Sequence, residues 1–170
     1  MFCSGINKLP DIFEKILRIN NNIMKEYLDD CLEKYFADFL NEKEFRKSDS
    51  LISGIGAYYE FKNNDFKFII ANDRGVLEVS LSSIYSTIFF DFELVNAFLH
   101  KKIELSISKP KFEINILSKR LDLQTIKNVF EEKYEELRFA LNKENYKITE
   151  NELLRFGNEY ANVLFGNKGK

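Results

Sequence analysis

The spacing of the apolar residues changes from a helical repeat to a strand repeat near Phe45, and this change limits the folds open to the chain. Before Phe45, apolar side chains recur every three or four residues, which is typical of an amphipathic helix. This stripe consists of Met24, Tyr27, Leu28, Cys31, Leu32, Tyr35, Phe36, Phe39 and Leu40. After Phe45, large apolar residues recur at every second position in residues 59–62, 66–71 and 76–81. Such alternation, broken by short polar turns, predicts an antiparallel meander with one buried face.

Helical patterns are predicted on both sides of the meander. Pro10 is expected at the first position of an N-terminal helix, and the run Asn20-Asn21-Asn22 is expected to break it. After the meander, Asp91 and Asp122 are expected to cap helices. The first of these helices is expected to end at His100, and the stripe of the second runs to Leu141. The last helix is expected to open with a capping box formed by Thr149 and Glu152.

Two stretches leave the strand count open. Residues 51–55 predict a first strand, although Gly54 and Gly56 weaken it. Residues 103–117 alternate around Pro110, which is compatible with a second hairpin. We therefore expect one α+β domain over residues 1–170. In it, an antiparallel meander of about four strands, with an extra hairpin left open, packs with N-terminal and C-terminal helices.

The net charge of −2 conceals an uneven distribution. Residues 24–44 hold seven acids against three lysines, and residues 131–152 hold seven acids against four bases. Residues 101–120 hold six bases against two acids. The small net charge disfavours nucleic acid as the partner. The acidic segments either steer a charged partner or are solvated helix faces.

The cysteines and the N-terminus predict a cytoplasmic protein. One bridge between Cys3 and Cys31 would be weak evidence for an oxidising compartment in a chain of this length, and Cys31 lies on the helical stripe, where a free thiol behaves as a small hydrophobe. Residues 1–5 lack a secretory signal pattern, and no apolar run is long enough to cross a bilayer. We therefore expect no membrane association.

Catalytic and metal-binding signatures are sparse. The chain has one histidine, His100, and two cysteines that are far apart, so neither a metal site nor a cofactor is expected. No phosphate-binding or nucleophile-elbow motif is present. Asp91 and Glu93 lie beside Phe89, Phe90 and Phe92, where an apolar setting could raise a carboxyl pKa for acid–base catalysis. Helix capping explains the same residues without catalysis.

Several segments taken together resemble the immunity proteins encoded beside bacterial polymorphic or contact-dependent toxins, including those of Maf-type loci. The resemblance covers about residues 24–166. Its elements are the acidic amphipathic helix, the Asn72-Asp73-Arg74-Gly75 turn, the Phe90-Asp91-Phe92-Glu93-Leu94-Val95 segment and the terminal Leu164-Phe165-Gly166. None of these is a catalytic signature.

The resemblance implies a non-enzymatic inhibitor that binds one cognate toxin domain. Many such toxins are nucleases with basic, phosphate-binding sites, and an acidic face can mimic the charge of their substrate and accelerate encounter. The candidate contacts are Asp29, Asp30 and Glu33, then Asp91 and Glu93, with the face from Glu131 to Glu136 in reserve and Tyr58 or Tyr59 as an aromatic anchor. Two alternatives stay open: a regulatory or scaffold module that binds another protein, and an enzyme that uses Asp91, Glu93 or His100.

Overall fold

The computed structural model describes residues 9–53, 56–73, 76–104 and 122–165. Its helices are α1 (Leu9–Tyr35), α2 (Ala37–Glu42), α3 (Phe92–Glu104), α4 (Leu123–Glu132), α5 (Tyr134–Leu141) and α6 (Tyr146–Phe165). Its strands are β1 (Arg46–Ser53), β2 (Gly56–Lys62), β3 (Phe66–Asp73), β4 (Val76–Ser83) and β5 (Phe90–Asp91). Helices on both sides of a group of strands confirm the predicted α+β class.

The strands form one antiparallel sheet in the order β1-β2-β3-β4-β5, so each strand pairs with its neighbour in sequence. Along β3, Phe66, Phe68 and Ile70 are buried and the residues between them are half-buried. This alternation is the one that the sequence predicted. The strand expected at 51–55 begins earlier, at Arg46. The two-residue β5 adds a fifth strand, in which Asp91 lies opposite Ser80.

The chain divides into two compact units. The first comprises Met1–Phe61 and Ile69–Glu78, and the second comprises Lys62–Phe68 and Val79–Lys170. The core of the first unit holds Leu28, Cys31, Phe36, Phe39, Phe45 and Tyr59. In the second unit, the ring centroid of Phe130 lies 5.1 Å from that of Phe92 and 5.2 Å from that of Phe68. Aromatic side chains therefore contribute to both cores.

The N-terminal helices differ from the prediction at three points. The expected break at Asn20-Asn21-Asn22 is wrong, because α1 continues to Tyr35. Asparagine disfavours a helix by less than about 1 kcal/mol per residue, and a break would leave the terminal backbone groups of two helices unpaired. The stripe from Met24 to Leu40, predicted as one helix, is divided at Phe36 into α1 and α2. The predicted burial of the stripe is also wrong for Tyr27, which is 47 % exposed.

A left-handed turn ends α2 and leads the chain into β1. Glu44 has a positive φ of 56°, and the Phe45 N–H donates to the Leu40 carbonyl at 2.8 Å. The Glu44 N–H donates to the Asn41 carbonyl at 3.2 Å, which completes a Schellman motif. The rings of Phe39 and Phe45 stack with centroids 5.6 Å apart, and this is the apolar contact that accompanies such a motif.

The later helices confirm one predicted cap and correct three other predictions. The Asp122 carboxylate accepts from the Thr125 N–H at 2.9 Å, as expected for the start of α4. The single stripe predicted up to Leu141 is divided at Lys133 into α4 and α5. The helix predicted to end at His100 continues to Glu104.

The capping box at Thr149 and Glu152 is wrong, because α6 begins at Tyr146 and Thr149 lies buried inside it. The cap lies upstream instead. The Asn142 side-chain oxygen accepts from the N–H groups of Glu144 and Asn145. Asparagine competes with Thr for this role, and the helical spacing of the apolar residues does not distinguish the two positions.

Several predictions lie outside the described residues. They are the terminal Cys3, the turn residues Gly54, Arg74 and Gly75, most of the stretch 103–117, and Gly166 of the terminal motif. Within the described part of the chain, no helix has both the length and the apolar character that crossing a bilayer requires.

Candidate protein-binding groove

An open groove of about 320 Å³ lies in the first unit and contains two of the predicted acidic contacts. Asp29 and Glu33 line it from α1, one helical turn apart. Asp30, the third predicted acid on this helix, is exposed and does not line the groove. The remaining lining residues come from α1, α2, β1 and β2; they are Leu32, Ala37, Leu40, Lys47, Tyr59 and Phe61.

The local folding of the chain explains why these residues meet. Asp29 and Glu33 share a side of α1 because residues four apart are neighbours on a helix surface. The turn at Glu44 brings β1 back beside the helices, so Lys47 reaches the groove. Tyr59 and Phe61 alternate along β2 and therefore share the face of the sheet toward which they are buried.

The Asp29 carboxylate is held by two donors. The Tyr59 hydroxyl donates to one carboxylate oxygen at 2.8 Å, and the Lys25 ammonium donates to the other at 2.6 Å. Partial burial raises the pKa of Asp29, but the bonds from Lys25 and Tyr59 and the charge of Lys47 outweigh it, so the pKa is lowered overall. Asp29 therefore stays ionised at neutral pH, and its charge is largely neutralised within the protein.

Tyr59 is the buried end of this arrangement. Its side chain is 2 % exposed, and the Lys47 ammonium lies 4.3 Å from the centre of its ring, a cation–π distance. Burial, followed by the hydrogen bond to Asp29, raises the pKa of Tyr59 to about 12. Tyr59 is therefore a fixed wall of the groove and a neutral donor at physiological pH.

Glu33 has a different environment from Asp29. It is exposed, and it forms no salt bridge or hydrogen bond with any other residue that the structure describes. Its charge is therefore available to a partner at the rim of the groove. Lys47, in contrast, is engaged with the Tyr59 ring and lies near Asp29.

The other predicted contacts lie in the second unit. Asp91 is exposed, and the Ser80 hydroxyl donates to its carboxylate at 3.4 Å. Glu93 is half-buried in the first turn of α3, and His100 is exposed on the same helix. Glu93 and His100 are two turns apart, which separates them by about 10 Å along the axis. The side chains of Glu93 and His100 are therefore too far apart to form a direct hydrogen bond with each other.

The predicted roles of several other residues can be compared with their positions. Cys31 is a buried free thiol, as expected from the stripe, and burial raises its pKa. Tyr58 is half-buried, and its hydroxyl donates to Asp49 at 2.9 Å, whereas its neighbour Tyr59 is buried. The glutamates from Glu131 to Glu136 form an exposed face, as expected, and Tyr134 between them is buried.

Sequence reasoning named the acids of the groove but missed its apolar lining. Leu32 and Leu40 belong to the stripe that was interpreted as core, yet both are half-buried and line the groove. Lys47 was missed because β1 was placed too late in the sequence. Ala37 gives a signal, since a small residue between the large stripe residues Phe36 and Phe39 leaves space beside it.

No family model, curated protein or solved structure matches this chain. Among the residues described here, no three histidine, cysteine, aspartate or glutamate side chains are grouped so that they could hold a metal ion.

Proposed function

We propose that this protein is an immunity protein that binds a cognate bacterial toxin domain in the cytoplasm of the producing cell and neutralises it without catalysis. The observation that carries the proposal is the pairing of an apolar groove with an acidic helix side in the first unit. The groove offers apolar area for burial, and Glu33 with the adjacent Asp30 offers exposed negative charge.

Electrostatics supports a basic partner. Exposed like charges on one surface raise the rate of encounter with an oppositely charged protein, and apolar anchors then supply much of the affinity. A nuclease toxin carries a basic surface because it binds phosphates. An acidic face on the inhibitor would compete with the nucleic acid for that surface.

The resemblance to immunity proteins supplies the biological setting of the proposal. It rests on motifs that include the acidic helix, and Asp29 and Glu33 of that helix line the groove. Asp91 and Glu93 remain part of the proposed contact set as a second surface, because Asp91 is exposed and Glu93 is partly so.

Co-expression tests the proposal. The gene product encoded next to this protein is expressed in a bacterial host with and without this chain, and growth and co-purification are recorded. We expect the neighbour to be toxic alone, harmless when this chain is present, and recovered with it as a complex. A neighbour that stays toxic and does not co-purify would contradict the proposal, and a non-toxic neighbour that binds would favour a regulatory or scaffold module.

A further inference from the structure

We infer that the groove is a socket for one partner side-chain pair, an apolar side chain placed next to an arginine or a lysine. This inference names the chemistry of the partner and rests on the proposed function for its biological context. It comes from the contrast between the two carboxylates of the groove and from the apolar character of the surface between them.

The apolar part of the socket is formed by side chains from three elements. Leu32, Leu40 and Phe61 provide aliphatic and aromatic surface, and Ala37 leaves room between them. A volume of about 320 Å³ lies at the lower end of the range of about 300–1,000 Å³ that is typical of pockets for small molecules. The groove therefore suits one or two amino-acid side chains rather than a large cofactor.

The charges at the rim of the groove determine which residue type of the partner can lie next to the apolar side chain. Asp29 is already bonded to Lys25 and Tyr59, so it has little attraction left for a new cation. The ring of Tyr59 is already covered by the Lys47 ammonium, which repels a second cation at that wall. Glu33 is the acid of the rim that has no partner among the described residues, and it is exposed. A cation that enters beside the apolar side chain is therefore directed to Glu33.

A set of three dipeptides provides the direct test. The full-length protein is titrated with acetyl-Leu-Arg-amide, acetyl-Leu-Glu-amide and acetyl-Ala-Arg-amide while the backbone amide NMR signals are followed. We expect saturable shifts at Leu32, Glu33, Ala37 and Leu40 with the Leu-Arg peptide. The Leu-Glu and Ala-Arg peptides should each bind about tenfold more weakly or not measurably.

Two substitutions with matched controls test the individual parts of the socket. Ala37→Trp should fill the groove and abolish the shifts, whereas Asn41→Trp, on the same short helix but outside the groove, should not. Glu33→Gln should remove the preference for Leu-Arg over Leu-Glu. Glu26→Gln, at an exposed position two turns away on the same helix, should preserve this preference.

The outcomes separate this inference from the proposed function. Absence of saturable shifts, or equal binding of the Leu-Arg and Leu-Glu peptides, overturns the socket even if co-expression rescues the host. Selective binding of the Leu-Arg peptide supports the socket even if co-expression fails. Circular dichroism and thermal unfolding show whether each variant is folded. If a variant is not folded, titration of the unmodified protein with the three peptides decides whether the groove acts as the socket.

Discussion

The Tyr59 hydroxyl donates a 2.8 Å hydrogen bond to the Asp29 carboxylate and so joins β2 to α1 within the first unit. The bond combines a buried donor with an ionised acceptor, which makes it stronger than a bond between neutral groups. It holds one side of the groove in place. Because Asp29 is engaged in this bond, Glu33 is the groove carboxylate that a partner can use.

Removing this hydrogen bond should destabilise the protein. We expect Tyr59→Phe to lower the free energy of unfolding by about 1–3 kcal/mol, because the Asp29 carboxylate loses a donor in a partly buried position. Tyr58→Phe is the matched control, since the Tyr58 hydroxyl bonds to Asp49 in an exposed position and its loss should cost less. Urea unfolding measures both values. Equal losses of unfolding free energy in the two variants would contradict the expectation that burial makes the Tyr59 hydrogen bond the more stabilising of the two.

Stability should also fall in strong alkali because of two tyrosines. Burial and the bonds to Asp29 and Asp65, respectively, raise the pKa values of Tyr59 and Tyr134 to about 12. A tyrosine in the unfolded chain ionises near pH 10, so the stabilisation is present below about pH 10 and is lost as the pH rises toward about 12. Urea unfolding of the wild type and of the Tyr59→Phe, Tyr134→Phe double variant across this range measures the effect. The double variant should lose less stability, and a loss as large as that of the wild type would refute the assignment.

The turn after α2 should be improved by glycine. Glu44 has a φ of 56°, a conformation that costs a residue with a Cβ about 1–2 kcal/mol. Replacing Glu44 by glycine removes this cost, but glycine has greater conformational freedom in the unfolded chain, which offsets part of the gain in stability. Glu44→Gly should therefore stabilise the protein by about 0.5–1 kcal/mol. Glu42→Gly, at the last residue of α2, should instead destabilise it, because glycine there weakens a helix. Thermal unfolding of both variants measures the difference, and the same sign of change in both would contradict the reasoning.

Two glycines should respond to alanine in opposite directions. A Cβ at Gly56 would lie 2.9 Å from the Asn72 carbonyl oxygen, so the Gly56→Ala protein must shift its backbone and lose about 1–3 kcal/mol. A Cβ at Gly157 would lie 3.6 Å from the nearest Leu94 methyl group, an ordinary contact. Gly157→Ala should therefore stabilise α6 by about 0.5–1 kcal/mol. Chemical unfolding of the two variants measures both signs. A stabilised Gly56→Ala variant would show that the close approach to Asn72 is not a constraint.

The sequence was sufficient to predict the elements that depend on neighbouring residues. It was not sufficient for features that depend on how distant parts of the chain come together. Alternation in 66–71 was sufficient to predict β3, and Asp122 was sufficient to predict the start of α4. The continuity of α1 through three asparagines was not predictable from residue preferences alone, because the small helix penalty of asparagine is outweighed by the cost of leaving the backbone groups of two helix ends unpaired. The acids of the site were named as candidate contacts because the acidic helix is part of the resemblance, but the groove depends on the left-handed turn at Glu44. That turn lacks the glycine by which such a conformation is usually recognised.

The central claim is that the exposed acids of α1 guide a basic partner to the groove. The most direct measurement is the association rate of this protein with the purified product of the neighbouring gene, at low and at high salt. The Asp30→Asn, Glu33→Gln double variant is compared with a Glu131→Gln, Glu132→Gln double variant, which removes the same charge from the exposed end of α4. We predict that the α1 variant associates more slowly at low salt and depends less on salt, while the α4 variant resembles the wild type. An unchanged rate for the α1 variant at low salt would contradict the claim.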